Sequence, residues 1–186
     1  MKSYYLLDFD RYIKGLWYLD GPIDDALRDE REFRYGYPVE LRGPLVAPMH
    51  TPGLALDFTL TLSQVPVLSK RFADAIRNLV KDHAQLIPVN IEGYHGYEVL
   101  VTTTLLDCVD EEHSKFTKWT SDSGRPDKAG GYHNFEVLRL ARSRIPSNVH
   151  AFRILGYARP LIVSQAFVDA ILPLNPVGPK LELVTE

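Results

Sequence analysis

The sequence VLSKRFADAI at residues 67–76 has a counterpart in IVSQAFVDAI at residues 162–171, and this pair is the main clue to the fold. Serine, phenylalanine, aspartate, alanine and isoleucine occupy matching places in the two copies. Each copy has the pattern of an apolar strand end followed by a serine and a short helix. The serine suits the start of a helix, because its hydroxyl accepts hydrogen bonds from the free N–H groups of the first helical turn. Phenylalanine and isoleucine, four residues apart, share one helical face, and the aspartate lies on another that we expect to meet water. The pattern therefore predicts an internal strand–serine–helix repeat.

Length and composition favour one globular domain. The chain has 186 residues, of which 45% are hydrophobic and 24% are charged, proportions that are ordinary for a packed domain. Thirteen prolines and twelve glycines indicate many turns and short elements, and they argue against a helical bundle. We predict a single α+β domain over residues 1–186, with a largely antiparallel sheet and a few short helices.

Hydrophobic patterns assign most of the chain to strands and helices. Strands are expected at residues 4–9, 15–19, 56–62 and 180–185, hairpins at 86–92 with 97–107 and at 135–142 with 149–157, and helices at about 70–83 and 165–172. The β-branched run at 98–110 is the best candidate for a central strand. An edge strand is expected at 33–39, a helical turn at 23–32, and a long loop at 114–134 that is functional, mobile or wrongly assigned.

Cysteine use and hydropathy favour the cytoplasm. The only cysteine is Cys108, so an intramolecular disulfide is impossible, which fits a reducing compartment. The first residues lack the apolar core of a signal peptide, and no window has the length of a membrane span. We expect a cytoplasmic protein without a membrane partner.

The net charge of −3 conceals an asymmetry along the chain. Residues 54–112 hold nine acids against four bases, for −5, whereas residues 113–160 hold nine bases against three acids, for +6. The split gives either an acidic and a basic face or charges that cancel across paired strands. An acidic total argues against a nucleic-acid partner, because such domains are usually basic.

Motifs for catalysis and for cofactors are missing from the sequence. None of the six histidines has another histidine three or four residues away, and neither a phosphate loop nor a dinucleotide fingerprint occurs. Cys108 with a histidine is a possible nucleophilic pair, but its apolar strand favours an inert buried thiol. Ser69 and Ser164 are explained by capping. We therefore expect no enzyme activity, no metal and no cofactor.

The most suggestive local feature is an acidic cluster after the expected central strand. It consists of Asp107, Asp110, Glu111 and Glu112. One interpretation is a solvated turn, and the other is a negative patch that meets a basic partner, where charge complementarity speeds encounter. Trp119 and Arg125 follow in the loop and are residue types of interface hot spots, although Trp119 in the core is an equal alternative. These six residues are the candidate partner-binding site.

Several motifs in a fixed order resemble one known family. They are YYLL at 4–7 with Trp17, DF at 57–58, PVLS at 66–69 and its helix, PV at 88–89, LLDCVDEEHS at 105–114, FR at 152–153, IVS at 162–164 and its helix, and GPKLEL at 178–183. Together they resemble the immunity-protein family first described from myxobacteria, which occurs beside bacterial polymorphic toxins and was once known only as a domain of unknown function. The resemblance spans nearly the whole chain.

The resemblance implies a protein that binds and neutralises a cognate toxin, protecting the producing or sister cell without catalysis. The family pattern supplies no catalytic residue to transfer to this chain, and its DCVD stretch matches residues 107–110. Two alternatives remain open at this stage. One is a small hydrolase that uses Asp107 and Asp110 with a histidine, and the other is a regulatory module that self-associates through aromatic edge strands. The oligomeric state, monomer or homodimer, also stays open.

Overall fold

The computed structural model describes residues 2–24 and 30–185. The strands in these ranges are β1 (Tyr4–Phe9), β2 (Tyr18–Leu19), β3 (Met49–Thr51), β4 (Phe58–Leu60), β5 (Pro66–Ser69), β6 (Ala84–Ile91), β7 (Tyr94–Thr102), β8 (Leu105–Leu106), β9 (Lys115–Lys118), β10 (Tyr132–Val137), β11 (Ala151–Ile154), β12 (Tyr157–Ser164) and β13 (Pro179–Leu183). The α-helices are α1 (Lys70–Val80) and α2 (Gln165–Ile171), and 3-10 helices occur at Glu30–Arg34, Pro126–Lys128, Arg142–Arg144 and Leu172–Leu174. The fold is therefore α+β and rich in sheet. Among the described helices, none has the length and apolar character needed to cross a membrane.

Two sheets form the frame of the molecule. The five-stranded sheet has the order β13-β1-β12-β11-β8, and the four-stranded sheet has the order β4-β5-β7-β6. Two further ribbons pair β2 with β3 and β9 with β10. Each of these strand pairs is antiparallel except β8 with β11, which is parallel.

The first expected hairpin is confirmed as β6 with β7. The chain turns at Glu92 and Gly93, and Gly93 adopts a φ of 78°, which glycine tolerates without strain. β7 lies between β5 and β6, so it is a central strand, and its residues 99–102 are buried. It ends at Thr102, earlier than expected, because the chain then crosses to the other sheet, where Leu105 pairs with Arg153.

Each helix follows directly on a strand that ends in serine. The two helices pack together, with the ring centroids of Phe72 and Phe167 6.2 Å apart. Ser164 caps α2, since its hydroxyl accepts from the Phe167 N–H at 3.3 Å. Ser69 holds the same position before α1, but its hydroxyl donates to Asp57 at 2.7 Å, so the expected side-chain cap is wrong there. A charged carboxylate forms a stronger hydrogen bond than a neutral backbone group does, which accounts for the partner of the Ser69 hydroxyl.

The middle strands of the five-stranded sheet are buried on both faces, which explains their apolar sequences. Leu161 and Val163 of β12 belong to the larger core cluster, which also contains α1, α2 and the four-stranded sheet. Ile162, between them, belongs to a second cluster with Phe152 and Cys108. Successive side chains of a strand point to opposite faces, so one strand contributes to both clusters.

The second expected hairpin is wrong in its pairing. β10 pairs with β9, and β11 pairs with β12 around a turn at Leu155 and Gly156. The expected loop at 114–134 therefore contains a strand. In β9 only Phe116 is apolar, so a strand prediction from hydrophobic alternation had too little signal there.

The aromatic stretch 33–39 is not an edge strand. It begins in the 3-10 helix Glu30–Arg34, where Phe33 is buried, and then turns at Gly36 with a φ of 81°. A side chain at Gly36 would meet Leu105 at 2.3 Å, so the close approach to β8 requires glycine. Of the helical turn expected at 23–32, residues 25–29 lie outside the described residues.

A buried carboxylate joins the four-stranded sheet to the segment that enters β13. Asp57 accepts hydrogen bonds from the Ser69 hydroxyl, from Nε and Nη2 of Arg71, and from the Val177 N–H. Arg71 also donates to the Leu174 carbonyl at 3.1 Å. Burial by itself would raise the pKa of Asp57, but the hydrogen bonds from Arg71, Val177 and Ser69 outweigh it and lower the pKa. The carboxylate is therefore ionised at neutral pH and part of the fold.

Replacement of Asp57 by alanine is expected to lower the free energy of unfolding by about 2–4 kcal/mol at neutral pH, because a buried hydrogen-bonded network loses its centre. The pKa is lowered in the folded state, so this stability is present above the ordinary value of 3.8 and is lost as the pH falls through the folded pKa. Urea unfolding at several pH values measures both effects. Asp74→Ala, which removes an exposed carboxylate, should change the midpoint much less, and an equal effect of both variants would contradict the assignment.

The Cys108 thiol is expected to react with a thiol reagent only when the protein unfolds. Cys108 is fully buried in the second cluster, and burial, followed by the charge of Asp107, raises its pKa to about 12. The thiolate is the reactive form, so the folded protein presents almost none of it. Labelling followed over increasing urea should follow the unfolding transition. Rapid labelling of the folded protein would contradict the buried placement.

Candidate functional site

Residues 107–113, here called the acidic turn, connect β8 to β9. Asp110 organises this turn, since its Oδ1 accepts from the N–H groups of Glu112 and His113 at 3.2 and 3.3 Å, and its Oδ2 lies 2.9 Å from His113 Nδ1. The hydrogen bond from His113 lowers the pKa of Asp110, against the effect of partial burial. Asp107 and Glu112 are exposed. Of the four acids, Asp110 thus shapes the turn, whereas these two present their charge to the surroundings.

Glu111 fastens the acidic turn to the neighbouring ribbon. Its Oε1 accepts from the Tyr132 hydroxyl at 2.6 Å and from Lys118 Nζ at 2.9 Å. The hydrogen bond from Tyr132, followed by that from Lys118, lowers the pKa of Glu111. Burial and the contact with Glu111 raise the pKa of Tyr132, so its hydroxyl stays a proton donor. Because the carboxylate is held by two strands at once, it fixes the turn relative to the ribbon.

β9, β10 and the loop between them at 119–131 form what we call the aromatic hairpin. The rings of Phe116, Tyr132, Phe135 and Tyr157 make consecutive contacts, with centroids 4.9–5.7 Å apart. Lys118 Nζ lies 5.4 and 5.2 Å from the Phe116 and Tyr132 ring centres. Tyr132 and Phe135 of the hairpin and Tyr157 of β12 pack against the second core cluster, so the hairpin is attached to the core through its own two rings and their contact with β12.

Trp119 is half-buried at the start of the hairpin loop and belongs to neither core cluster. Its ring meets His133 edge-on at 4.0 Å between centroids, and Lys128 Nζ lies 5.5 Å from the ring centre. Arg125 makes a forked contact with Asp127, at 3.0 and 2.8 Å. The structure therefore places Trp119 at the surface and Arg125 in a loop-stabilising pair.

Beside Trp119 runs an open groove of about 420 Å³, here called the hairpin groove. Its lining includes Trp119, Lys128, Tyr132, His133, Tyr157 and Arg159. The groove mixes aromatic rings with cations and lies between the hairpin and the first residues of β12. The local sequence gives no signal for Lys128, His133 or Arg159 as site residues, because the strand pairing that brings them together is not visible in local patterns.

Contacts neutralise part of the charge split seen in the sequence. Lys118 pairs with Glu111, Arg125 pairs with Asp127, and Lys115 lies 3.9 Å from Glu136. The hairpin thus neutralises part of the charge of the acidic turn. For these residues, the opposite charges cancel through contacts and do not form separate acidic and basic faces.

Two arrangements contain the residue types of a hydrolytic site. The first is Asp110 with His113, next to Ser114. The Ser114 hydroxyl, however, donates to the Arg139 carbonyl at 3.1 Å and accepts from the Arg139 N–H at 2.9 Å. These bonds link the Ser114 hydroxyl to the backbone of the segment that follows β10, so the hydroxyl is not directed at the histidine.

The second arrangement is His150 with Ser164, whose Nδ1 and Oγ are 2.8 Å apart. Burial lowers the pKa of His150, and the charges of Lys2 and His83 lower it further, so the imidazole is neutral at pH 7. Ser164 is 2% exposed, and its hydroxyl caps α2. A substrate cannot reach this hydroxyl, so the pair stabilises the strand–helix junction. In the part of the chain that the structure describes, no group of three or more potential metal ligands occurs.

The site therefore consists of the acidic turn, the aromatic hairpin and the hairpin groove, with the six sequence candidates in the first two. No protein-family model matches this chain, and no curated protein matches it. The likeness to the immunity-protein family is accordingly a prediction from the order of the sequence motifs.

Proposed function

We propose that this chain is an immunity protein that binds a cognate bacterial toxin domain in the cytoplasm and so protects the producing or sister cell. In this proposal, residues 1–186 act as one immunity-protein-like domain that works by occupying the toxin's surface, without a cofactor. The order of the sequence motifs supports the class of partner. The observation that carries the proposal is the half-buried Trp119 beside the hairpin groove.

The chemistry of the hairpin groove suits a protein partner. Tryptophan, tyrosine and arginine are the residue types most enriched at interface hot spots, and Trp119, Tyr132 and Arg159 lie together there. The hairpin is held by its ring contacts and by Glu111, so little conformational freedom would be lost on binding. Such preorganisation lowers the entropic cost of association.

The acidic turn has a supporting role in this proposal. Asp107 and Glu112 supply exposed charge at the rim, where charge acts mainly on the rate and selectivity of encounter. Asp110 holds the shape of the turn, and Glu111 fixes the turn relative to the hairpin. Arg125 stiffens the loop that follows Trp119.

We also infer that the two strand–serine–helix units are an internal repeat. The matching residues of the two stretches support it, as does the contact between Phe72 and Phe167, which are equivalent positions. In this arrangement the repeat forms the helical layer of the fold, and the aromatic hairpin is inserted between the two units.

The experiment is co-expression with the toxin encoded next to this gene. The wild-type chain is expected to restore growth, and Trp119→Ala to weaken toxin binding by at least about tenfold, or roughly 1.4 kcal/mol, as for a hot-spot tryptophan. Growth curves and titration calorimetry are the readouts. Tyr18→Ala is the matched control, because Tyr18 is a partly exposed aromatic residue on β2, which pairs with β3 and not with the hairpin.

Two results would contradict the proposal. The first is that cells carrying the wild-type chain die as fast as cells without it. The second is that Trp119→Ala binds the toxin as tightly as Tyr18→Ala, which would place the interface elsewhere.

A further inference from the structure

A second depression, here called the arginine pocket, lies where the first residues of β12 meet the turn between β4 and β5. Its volume is about 410 Å³, and its lining is Arg11, Arg34, Leu62, Ser63, Gln64 and Arg159. Three of these side chains carry guanidinium groups. Arg159 also lines the hairpin groove, so the two depressions share a wall.

Arg153 lies beneath this pocket and is fully buried. Its Nη1 donates to the carbonyls of Ala158 and Arg159 at 3.0 and 2.7 Å, and its Nη2 donates to the carbonyl of Gln64 at 3.4 Å. Its Nε, also buried, has no hydrogen-bond partner among the described residues. These partners are neutral carbonyls, and among the described residues Arg153 makes no ion pair with a carboxylate.

The electrostatics around Arg153 agree with this geometry. Burial lowers its pKa to about 9, and the positive charge of Arg34 adds to the effect. A group with that pKa is still protonated at neutral pH. An ionised guanidinium in a buried position without an acid is costly, and an anion placed nearby would relieve part of that cost.

Asp8 and Glu30 are acids that lie near the arginine pocket. Arg11 has a long contact of 3.7 Å with Asp8. Glu30 lies near the Ser63 wall, since a side chain at Gly21 would meet both residues. Among the described residues, neither carboxylate pairs with Arg153 or Arg159, so these two guanidinium groups keep their positive charge. The Arg159 side chain makes no ion pair or hydrogen bond among the described residues, and it is exposed.

We propose that the arginine pocket binds the carboxylate of an acidic side chain that the protein partner inserts, with Arg159 as the contacting group and Arg153 as the residue that positions it. This inference rests on the proposed function and names the chemistry of the partner's contact segment. Arginine forks suit carboxylates because two parallel N–H donors match the two oxygens. The sequence favoured a basic partner for the acidic turn, whereas the unpaired charge beside the groove calls for an acidic one.

The test titrates the full chain with a short poly-glutamate peptide and, separately, with inorganic phosphate, followed by amide NMR shifts. The peptide is expected to shift residues of the arginine pocket, and Arg159→Glu to weaken peptide binding roughly tenfold or more. Lys70→Glu is the matched control with the same charge change, because Lys70 is exposed on α1 and lies outside the pocket lining. Arg159→Gln tests the loss of charge without its reversal and should weaken binding less than Arg159→Glu.

Three outcomes would overturn the proposal. They are equal peptide binding by Arg159→Glu and Lys70→Glu, no binding of the peptide to the wild-type chain, and binding of phosphate but not of the peptide, which would indicate a site for a free anion. The toxin assay separates this proposal from the proposed function. If the wild-type chain and Arg159→Glu protect cells equally, the pocket assignment fails and the immunity function stands. If the wild-type chain does not protect cells, the proposed function fails, and the peptide titration still tests the pocket.

Discussion

The hydrogen bonds that the Asp57 carboxylate accepts tie together parts of the chain that are far apart in the sequence. The carboxylate holds the start of β4, the β5–α1 junction and the segment before β13 together, so the middle of the chain and its end meet at one charged group. The meeting is close, because a side chain at Gly178 would lie 2.2 Å from the Phe58 carbonyl. Hydrophobic burial has no preferred direction. The hydrogen bonds of this network do have one, so the network requires one relative placement of the two sheets.

The surface assigned to partner binding is built on the second core cluster. β1, β11 and β12 contribute one face to the main core and the other to this cluster, and the aromatic hairpin packs on it through Tyr132 and Phe135, beside Tyr157 of β12. A strongly polar part of the chain is thus held in place by a few rings and one carboxylate. This arrangement separates folding from recognition, because the exposed residues of the hairpin loop can change without disturbing the core.

Local patterns in the sequence predicted the elements that are defined locally. The β6–β7 hairpin, α1 and the serine cap of α2 follow from alternation, helical spacing and capping chemistry. The pairing of β9 with β10 was missed because the KFTK strand is short and mostly charged. The burial of Arg153 was missed because arginine is usually exposed, and only the tertiary fold supplies the carbonyls that its guanidinium needs. The acidic residues are close neighbours in the sequence, but their contacts with Lys118, Tyr132 and His113 required the structure.

In the proposed function, this molecule covers another protein with the aromatic hairpin and the wall of β12 beside it. Hydrogen–deuterium exchange of the chain, alone and mixed with the toxin domain encoded beside its gene, tests this claim most directly. Residues 119–131 and 157–160 are expected to exchange more slowly on mixing, with little change in α1. Unchanged exchange in both segments, with or without protection elsewhere, would contradict it.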